Sequence, residues 1–277
     1  MTDGACDCHT HVIGPRADYP MVAGRHYTPG PAPLQALQAH LARLDLQRVV
    51  IVQPSVYGTD NRCLLDALAR LDGAGRGVAV LDEAVDDDTL RGLHAHGVRG
   101  VRVNLESAGE RDTALALAGL RRWSQRVAAL GWHVQVYAAQ AVVQALAEAL
   151  PRLAAPVVLD HFALAEQPPG DGGYATTLRA LLASGRVYLK LSGAYRLPSP
   201  ALAPAWAAAL TATAPQALLW GSDWPHTGRD PGRPAHQVSA YREVPTSVLR
   251  QQLDAWLPTP ALRRQVLVDN PARLYGF

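Results

Sequence analysis

Two clusters of proton- and cation-handling side chains stand at opposite ends of this sequence. Near the start runs Asp7-Cys8-His9-Thr10-His11. Near the end runs Trp220-Gly221-Ser222-Asp223-Trp224-Pro225-His226. Imidazoles and carboxylates shuttle protons, polarise carbonyls and hold metal ions. Each cluster follows a short run of apolar or small residues that reads as a strand. Side chains alternate along a strand, so Asp7, His9 and His11 are expected on one face. Cys6 and Cys8 then take the other face, as small packing residues against outer helices. Almost the whole chain separates His9 from Asp223. They share a site only if the sheet closes on itself, as in a (β/α)8 barrel with polar groups at the C-terminal ends of its strands.

The intervening sequence has the required alternation. Strands are predicted near Ala5–His9, then at Arg48–Gln53, Gly77–Leu81, Val98–Asn104, Trp132–Tyr137, Val157–His161, Val187–Ser192 and Leu218–Ser222. Between and after them lie helical stretches at Leu34–Leu44, Asn61–Leu71, Asp86–His96, Asp112–Leu130, Gln140–Leu150, Tyr174–Ser184, Ala201–Thr211, Val248–Trp256 and Pro260–Val268. Continuous apolar runs such as Val49-Val-Ile-Val52 suit parallel strands buried on both faces. Eight strands alternating with helices predict an α/β fold, a single TIM barrel over residues 1–277. A polar, proline-broken loop runs from Gly14 to Pro33, and a Pro/Gly-rich one from Gln167 to Gly173 is expected over the mouth.

Composition narrows the function classes. The chain has 277 residues, is 48% hydrophobic and carries a formal charge of +2. The basic residues form no long run, so nucleic acid and anionic membrane are not expected as partners. All are arginine except Lys190. Arginine grips carboxylates through a two-pronged fork, so arginines in a pocket point to an anionic ligand. Three cysteines argue against a disulfide framework. No apolar leader or membrane span is visible, and a cytoplasmic enzyme is expected.

The strand ends supply the candidate site: Asp7, His9 and His11 from the first strand; Gln53 and Ser55 from the second; Arg102 and Asn104 from the fourth; Tyr137 from the fifth; Asp160 and His161 from the sixth; Lys190, Ser192, Tyr195 and Arg196 from the seventh; and Ser222 and Asp223 from the eighth. The first loop adds His26 and Tyr27. Three histidines and an aspartate at matching strand ends point to one shared catalytic centre.

Asp7-Cys-His9-Thr-His11-Val-Ile-Gly-Pro15, Leu159-Asp-His161, Trp220-Gly-Ser-Asp223-Trp-Pro-His226 and the terminal Asn270-Pro-Ala-Arg-Leu-Tyr-Gly-Phe277 resemble the amidohydrolase superfamily. Within it they resemble the lactone-cleaving branch that includes 2-pyrone-4,6-dicarboxylate hydrolase. The resemblance implies hydrolysis of a small carboxylated lactone, with Asp223 as general base and His9, His11 and His161 polarising the carbonyl. It implies Tyr27, Ser55, Arg102, Tyr137 and Arg196 as substrate-binding residues. Many members of the superfamily hold metal with a fifth-strand histidine, but Tyr137 stands there in this sequence, as in the pyrone hydrolases. No cofactor is therefore expected. The alternative is one zinc or manganese ion on His9, His11, His161 and Asp223. The second arginine that pyrone hydrolases carry after the fourth strand is missing; Arg111 is the available replacement, or the substrate lacks the second carboxylate. Other readings are a sugar-diacid lactone isomerase, a metal-dependent hydrolase or decarboxylase, and a non-enzymatic barrel that binds aromatic acids.

Overall fold

The structure, a computed structural model, describes residues 3–170, 172–228 and 232–277. Eight parallel strands follow one another around a sheet in sequence order. They are β1 (Cys6–Thr10), β2 (Arg48–Val52), β3 (Gly75–Ala79), β4 (Val98–Asn104), β5 (His133–Tyr137), β6 (Val157–Leu159), β7 (Val187–Ser192) and β8 (Leu218–Gly221). The sheet closes just beyond β8. The Asp223 amide donates to the His9 carbonyl (2.9 Å), and the His11 amide donates to the Trp224 carbonyl (2.8 Å). The two clusters that open and end the sequence thus form the closing seam of a TIM barrel.

Helices α1 (Leu34–Leu44), α2 (Arg62–Ala69), α3 (Asp87–Ala95), α4 (Thr113–Ala128), α5 (Gln140–Ala145), α6 (Gly173–Ala183), α7 (Leu202–Thr213) and α8 (Thr246–Trp256) form the outer ring. Local chemistry sets several starts. Asp86 accepts the Thr89 amide at the head of α3, and Asp112 accepts those of Ala114 and Leu115 at the head of α4. Both satisfy amides that have no partner within the helix. The stretch expected as one helix over Gln140–Leu150 ends at Ala145 and resumes as a 3₁₀ turn at Leu150–Arg152. Pro151 cannot donate a backbone hydrogen bond, so a continuing α-helix is disfavoured there. Within the first loop, Thr28–Pro29 pairs in parallel with Val238–Ser239, which ties this loop to the one after β8. Of the expected mouth loop Gln167–Gly173, Asp171 lies outside the described residues; the Gln167 carbonyl accepts the Trp206 indole N–H.

One face expectation is corrected. Cys6 and Cys8 point into the barrel, not toward the outer helices, and share an apolar cluster with Val50, Val52, Val78, Val158, Tyr188 and Leu219. Asp7 points outward instead. Its Oδ1 accepts the amides of His9 and Ser222, and its Oδ2 lies 3.8 Å from His40 of α1. The β1–β2 pairing shifts register between Asp7 and Thr10. That irregularity returns His9 to the interior and breaks the alternation on which the expectation rested.

Candidate active site

Beneath the mouth lies a buried polar network. Lys190 on β7 donates to Gln135 Oε1 of β5 (2.7 Å) and lies 3.4 Å from Asp160 Oδ1. Gln135 Nε2 donates in turn to Asp160 Oδ2 (3.0 Å). Asp160 follows β6, and its Oδ1 is 3.2 Å from His9 Nδ1; Lys190 Nζ is 3.3 Å from the same nitrogen. All four side chains are sealed from solvent. Burial would raise the Asp160 pKa, but the Lys190 ammonium holds it well below the usual carboxylate range. Burial, with Lys190 close by, pushes His9 well below the ordinary imidazole value. His9 is therefore a neutral ring set between a cation and an anion.

Asp223 forms the centre of the site. Its Oδ2 accepts from Arg196 Nε (2.5 Å) and from the Tyr195 hydroxyl (2.9 Å). Its Oδ1 has no hydrogen-bond partner among the described residues and faces His11 Nε2 at 3.6 Å and His9 Nε2 at 3.8 Å. Burial would raise its pKa, yet the Arg196 guanidinium keeps it well below the usual range, so the carboxylate stays ionised. His11 Nδ1 meets the Val52 carbonyl at 2.8 Å. A carbonyl only accepts, so Nδ1 carries the hydrogen, and Nε2 is the nitrogen turned toward Asp223. His161 Nδ1 pairs with Ser192 Oγ (2.9 Å), and burial lowers its pKa to about 3, which keeps it neutral.

The backbone is bent to make this arrangement. His161, Phe162, Ala163 and Leu164 all have φ between 46° and 53°, and Asp223 and His226 have φ of 61° and 66°. Left-handed non-glycine residues are costly and persist where surrounding structure imposes them, commonly at functional sites. Two glycines make the close approaches possible. A Cβ on Gly193 (φ +56°) would lie 2.8 Å from His161 Nδ1 and 3.1 Å from Asp223 Oδ2. One on Gly221 would lie 2.6 Å from the His9 Cβ.

The candidate substrate residues divide into two groups. Tyr27, Ser55, Tyr137 and Arg196 line one cavity at the mouth, together with His26, Ser107, Thr227, Gly228 and Arg242. Arg102 lies deeper, 3.7 Å from Asp160 Oδ2, with its guanidinium 5.6 Å from the Tyr137 ring centre. Arg111 pairs with Glu106 and the Glu110 carbonyl and is not part of the cavity wall. Sequence reasoning placed Lys190 at a strand end without a task and gave Gln135 none. The available signal was the single lysine in an arginine-rich chain, at an inward position between Tyr188 and Ser192.

A family model described as amidohydrolase matches residues 6–277. The chain belongs to the amidohydrolase family. This amidohydrolase is 35% identical, over 99% of its length and 90% of the relative's, to the 4-sulfomuconolactone hydrolase of Rhizobium radiobacter. It is 32% identical to the 2-pyrone-4,6-dicarboxylate hydrolase of Comamonas testosteroni, covering 98% and 90% of the two chains. A solved Pseudomonas putida structure assigned as a 2-pyrone-4,6-dicarboxylic acid hydrolase superposes with a TM-score of 0.82 at 34% identity, covering 100% of this chain and 98% of that one. The expected family, fold and enzyme class are borne out.

The family raises the question of a metal. His9, His11 and Asp223 bring ligand atoms within 4.8 Å of one another, as do His9, Asp160 and His161. The geometry admits an ion, but the charge around it does not favour one. Lys190, Arg102 and Arg196 already outnumber Asp160 and Asp223 in this buried region, and Arg196 pairs with Oδ2 of Asp223, which leaves only Oδ1 facing the histidines. A divalent ion would enter a desolvated site of net positive charge, where like-charge repulsion is weakly screened.

Proposed function

We propose that this amidohydrolase opens a small lactone that carries one or more anionic groups, with Asp223 as the base that activates water and with no resident metal. The observation that carries this reading is the free Oδ1 of Asp223, aimed at His11 and His9 beneath a cavity walled by arginine. Relatives named for lactone hydrolysis support it.

The residues divide the work as follows. A water in this space donates one hydrogen to Asp223 Oδ1 and lies against Nε2 of His11. Lys190 donating to His9 Nδ1 leaves a hydrogen on His9 Nε2, and Ser192 donating to His161 Nδ1 does the same for His161. Both rings then act as neutral donors to the oxyanion that forms on the lactone carbonyl. Fixed donors in a dry site stabilise such charge far better than water does. Asp223 takes the proton from the attacking water and, as the ring C–O bond breaks, returns it to the ring oxygen, which leaves as the new hydroxyl or enol.

A carboxylate held by Arg196 is a weak base. An anionic substrate group competes for the same guanidinium, because a bidentate arginine–carboxylate pair is strong and directional. Engagement of Arg196 by the substrate restores the basicity of Asp223 at the moment it is needed. Binding and activation are thereby coupled through one side chain.

The test is Asp223→Asn, assayed on 2-pyrone-4,6-dicarboxylate and on 4-sulfomuconolactone. The expected loss is about 10²–10⁴-fold in kcat, the range supplied by general-base catalysis. Activity within threefold of the parent contradicts the assignment. Product analysis separates a ring-opened acid from the rearranged lactone that an isomerase would give.

A further inference from the structure

We propose that Arg242 is a specificity-determining residue that holds a second anionic group of the substrate at the rim of the cavity. This rests on the anionic-lactone reading and extends it to a residue outside the strand ends. Arg242 lies in the long segment after β8, beside the antiparallel bridge between Thr227 and Tyr241. Its backbone amide donates to the His226 carbonyl (2.9 Å), and one of its guanidinium nitrogens donates to the Thr227 carbonyl. These bonds turn the side chain inward over Tyr195, whose ring centre is 4.9 Å from the Arg242 Cζ and 5.5 Å from the Arg196 Cζ. One aromatic ring thus carries both guanidiniums. Gly228 leaves the space for this, since a Cβ there would lie 3.3 Å from an Arg242 guanidinium nitrogen.

The charge pattern gives the chemical class of the ligand. Among the described residues no carboxylate lines the cavity, whereas two guanidiniums do. Arg196 is tied to Asp223, but among the described residues no carboxylate pairs with Arg242. Its remaining N–H groups suit the paired oxygens of a carboxylate or a sulfonate. Arg111, the sequence's replacement for the missing second clamp, is held by Glu106 away from the cavity. Arg242 reaches the cavity from a different part of the chain and takes that task.

The experiment compares the parent with Arg242→Ala and Arg242→Lys on 2-pyrone-4,6-dicarboxylate, on its monomethyl esters and on 4-sulfomuconolactone. Binding of pyridine-2,4-dicarboxylate is measured in parallel by calorimetry, which needs no turnover. In Arg242→Ala the kcat/KM preference for the dianion over the monoester should fall about 10–100-fold, the worth of a charged hydrogen-bonded pair. KM should carry the change, with Arg242→Lys between the two. The dicarboxylate Kd should rise by a similar factor. An unchanged preference and unchanged Kd in a folded Arg242→Ala protein overturn the proposal, as does a loss confined to kcat. A larger change with the sulfonate than with the dicarboxylate identifies sulfonate as the group read. If the parent opens none of these lactones, the lactone reading fails, and the calorimetric arm still decides whether Arg242 holds an anion.

Discussion

The two ends of the barrel interior are built from the same strands and are chemical opposites. At the N-terminal end, Cys6, Val50, Val158, Tyr188 and Leu219 pack with Leu274 and Tyr275 of the C-terminal segment into an apolar plug. Even the histidine there is inert. Among the described residues His133 has no hydrogen-bond partner for either ring nitrogen, and burial lowers its pKa to about 3. Two positions along the same strands, Val158 gives way to Asp160, Tyr188 to Lys190 and His133 to Gln135. The polar layer thus begins one inward residue above the plug. The contrast shows how the fold separates its tasks: the lower layer supplies dry packing, and the upper layer uses that dryness to strengthen its charges.

If that division holds, variants at the two ends should fail in different ways. Gly221→Ala places a methyl against His9 at the closing seam and should displace the ring. An error of about 1 Å in a catalytic group can cost about 100-fold, so a loss of that order in kcat is expected in the protein that remains folded, beside a stability cost, because the new Cβ also comes within 2.9 Å of the His9 backbone nitrogen. Steady-state kinetics beside urea unfolding tests this; a variant that unfolds early but retains kcat erases the contrast. Tyr275→Ala should behave in the opposite sense. It empties a fully buried aromatic site in the plug and should cost about 3–5 kcal/mol in the same unfolding assay, while the folded enzyme keeps its kcat. A large fall in kcat at full folding would show that the lower layer positions the site after all.

A smaller effect sharpens the upper half of the comparison. Arg196 holds the Asp223 pKa down, so its removal must raise that pKa. With Asp223 as the proposed base, the acid limb of kcat/KM should lie below the ordinary carboxylate range in the parent, and Arg196→Met should move it toward neutral pH. Asp223 is then protonated, and inactive as a base, over a wider acid range. A limb that stays in place shows that Arg196 does not control the base.

The sequence made the upper layer more legible than the way its first strand is built. The eight strand–helix units were readable because buried parallel strands are short apolar runs between polar breaks. His9, His11, His161 and Asp223 were readable because packing alone rarely gathers three imidazoles and a carboxylate at strand ends. The inward turn of Cys6 and Cys8 was not, since a register shift after Asp7 obeys no pattern in residue type. The attachment of Arg196 to Asp223 was equally hidden, because it depends on Gly193 letting the segment after β7 fold against the seam. Arg242 escaped notice because it sits on no strand end, and only the Thr227–Tyr241 bridge turns it to the cavity.

The central claim is that the chain's own charges, not a bound ion, activate water and stabilise the oxyanion. Its most direct test is elemental analysis of the purified enzyme, joined to a lactone assay before and after dialysis against a strong chelator. The account predicts far less than one equivalent of zinc or manganese and a rate that dialysis leaves unchanged. A stoichiometric metal that departs together with activity, and restores it on return, would contradict the account and place that ion on His9, His11, His161 and Asp223.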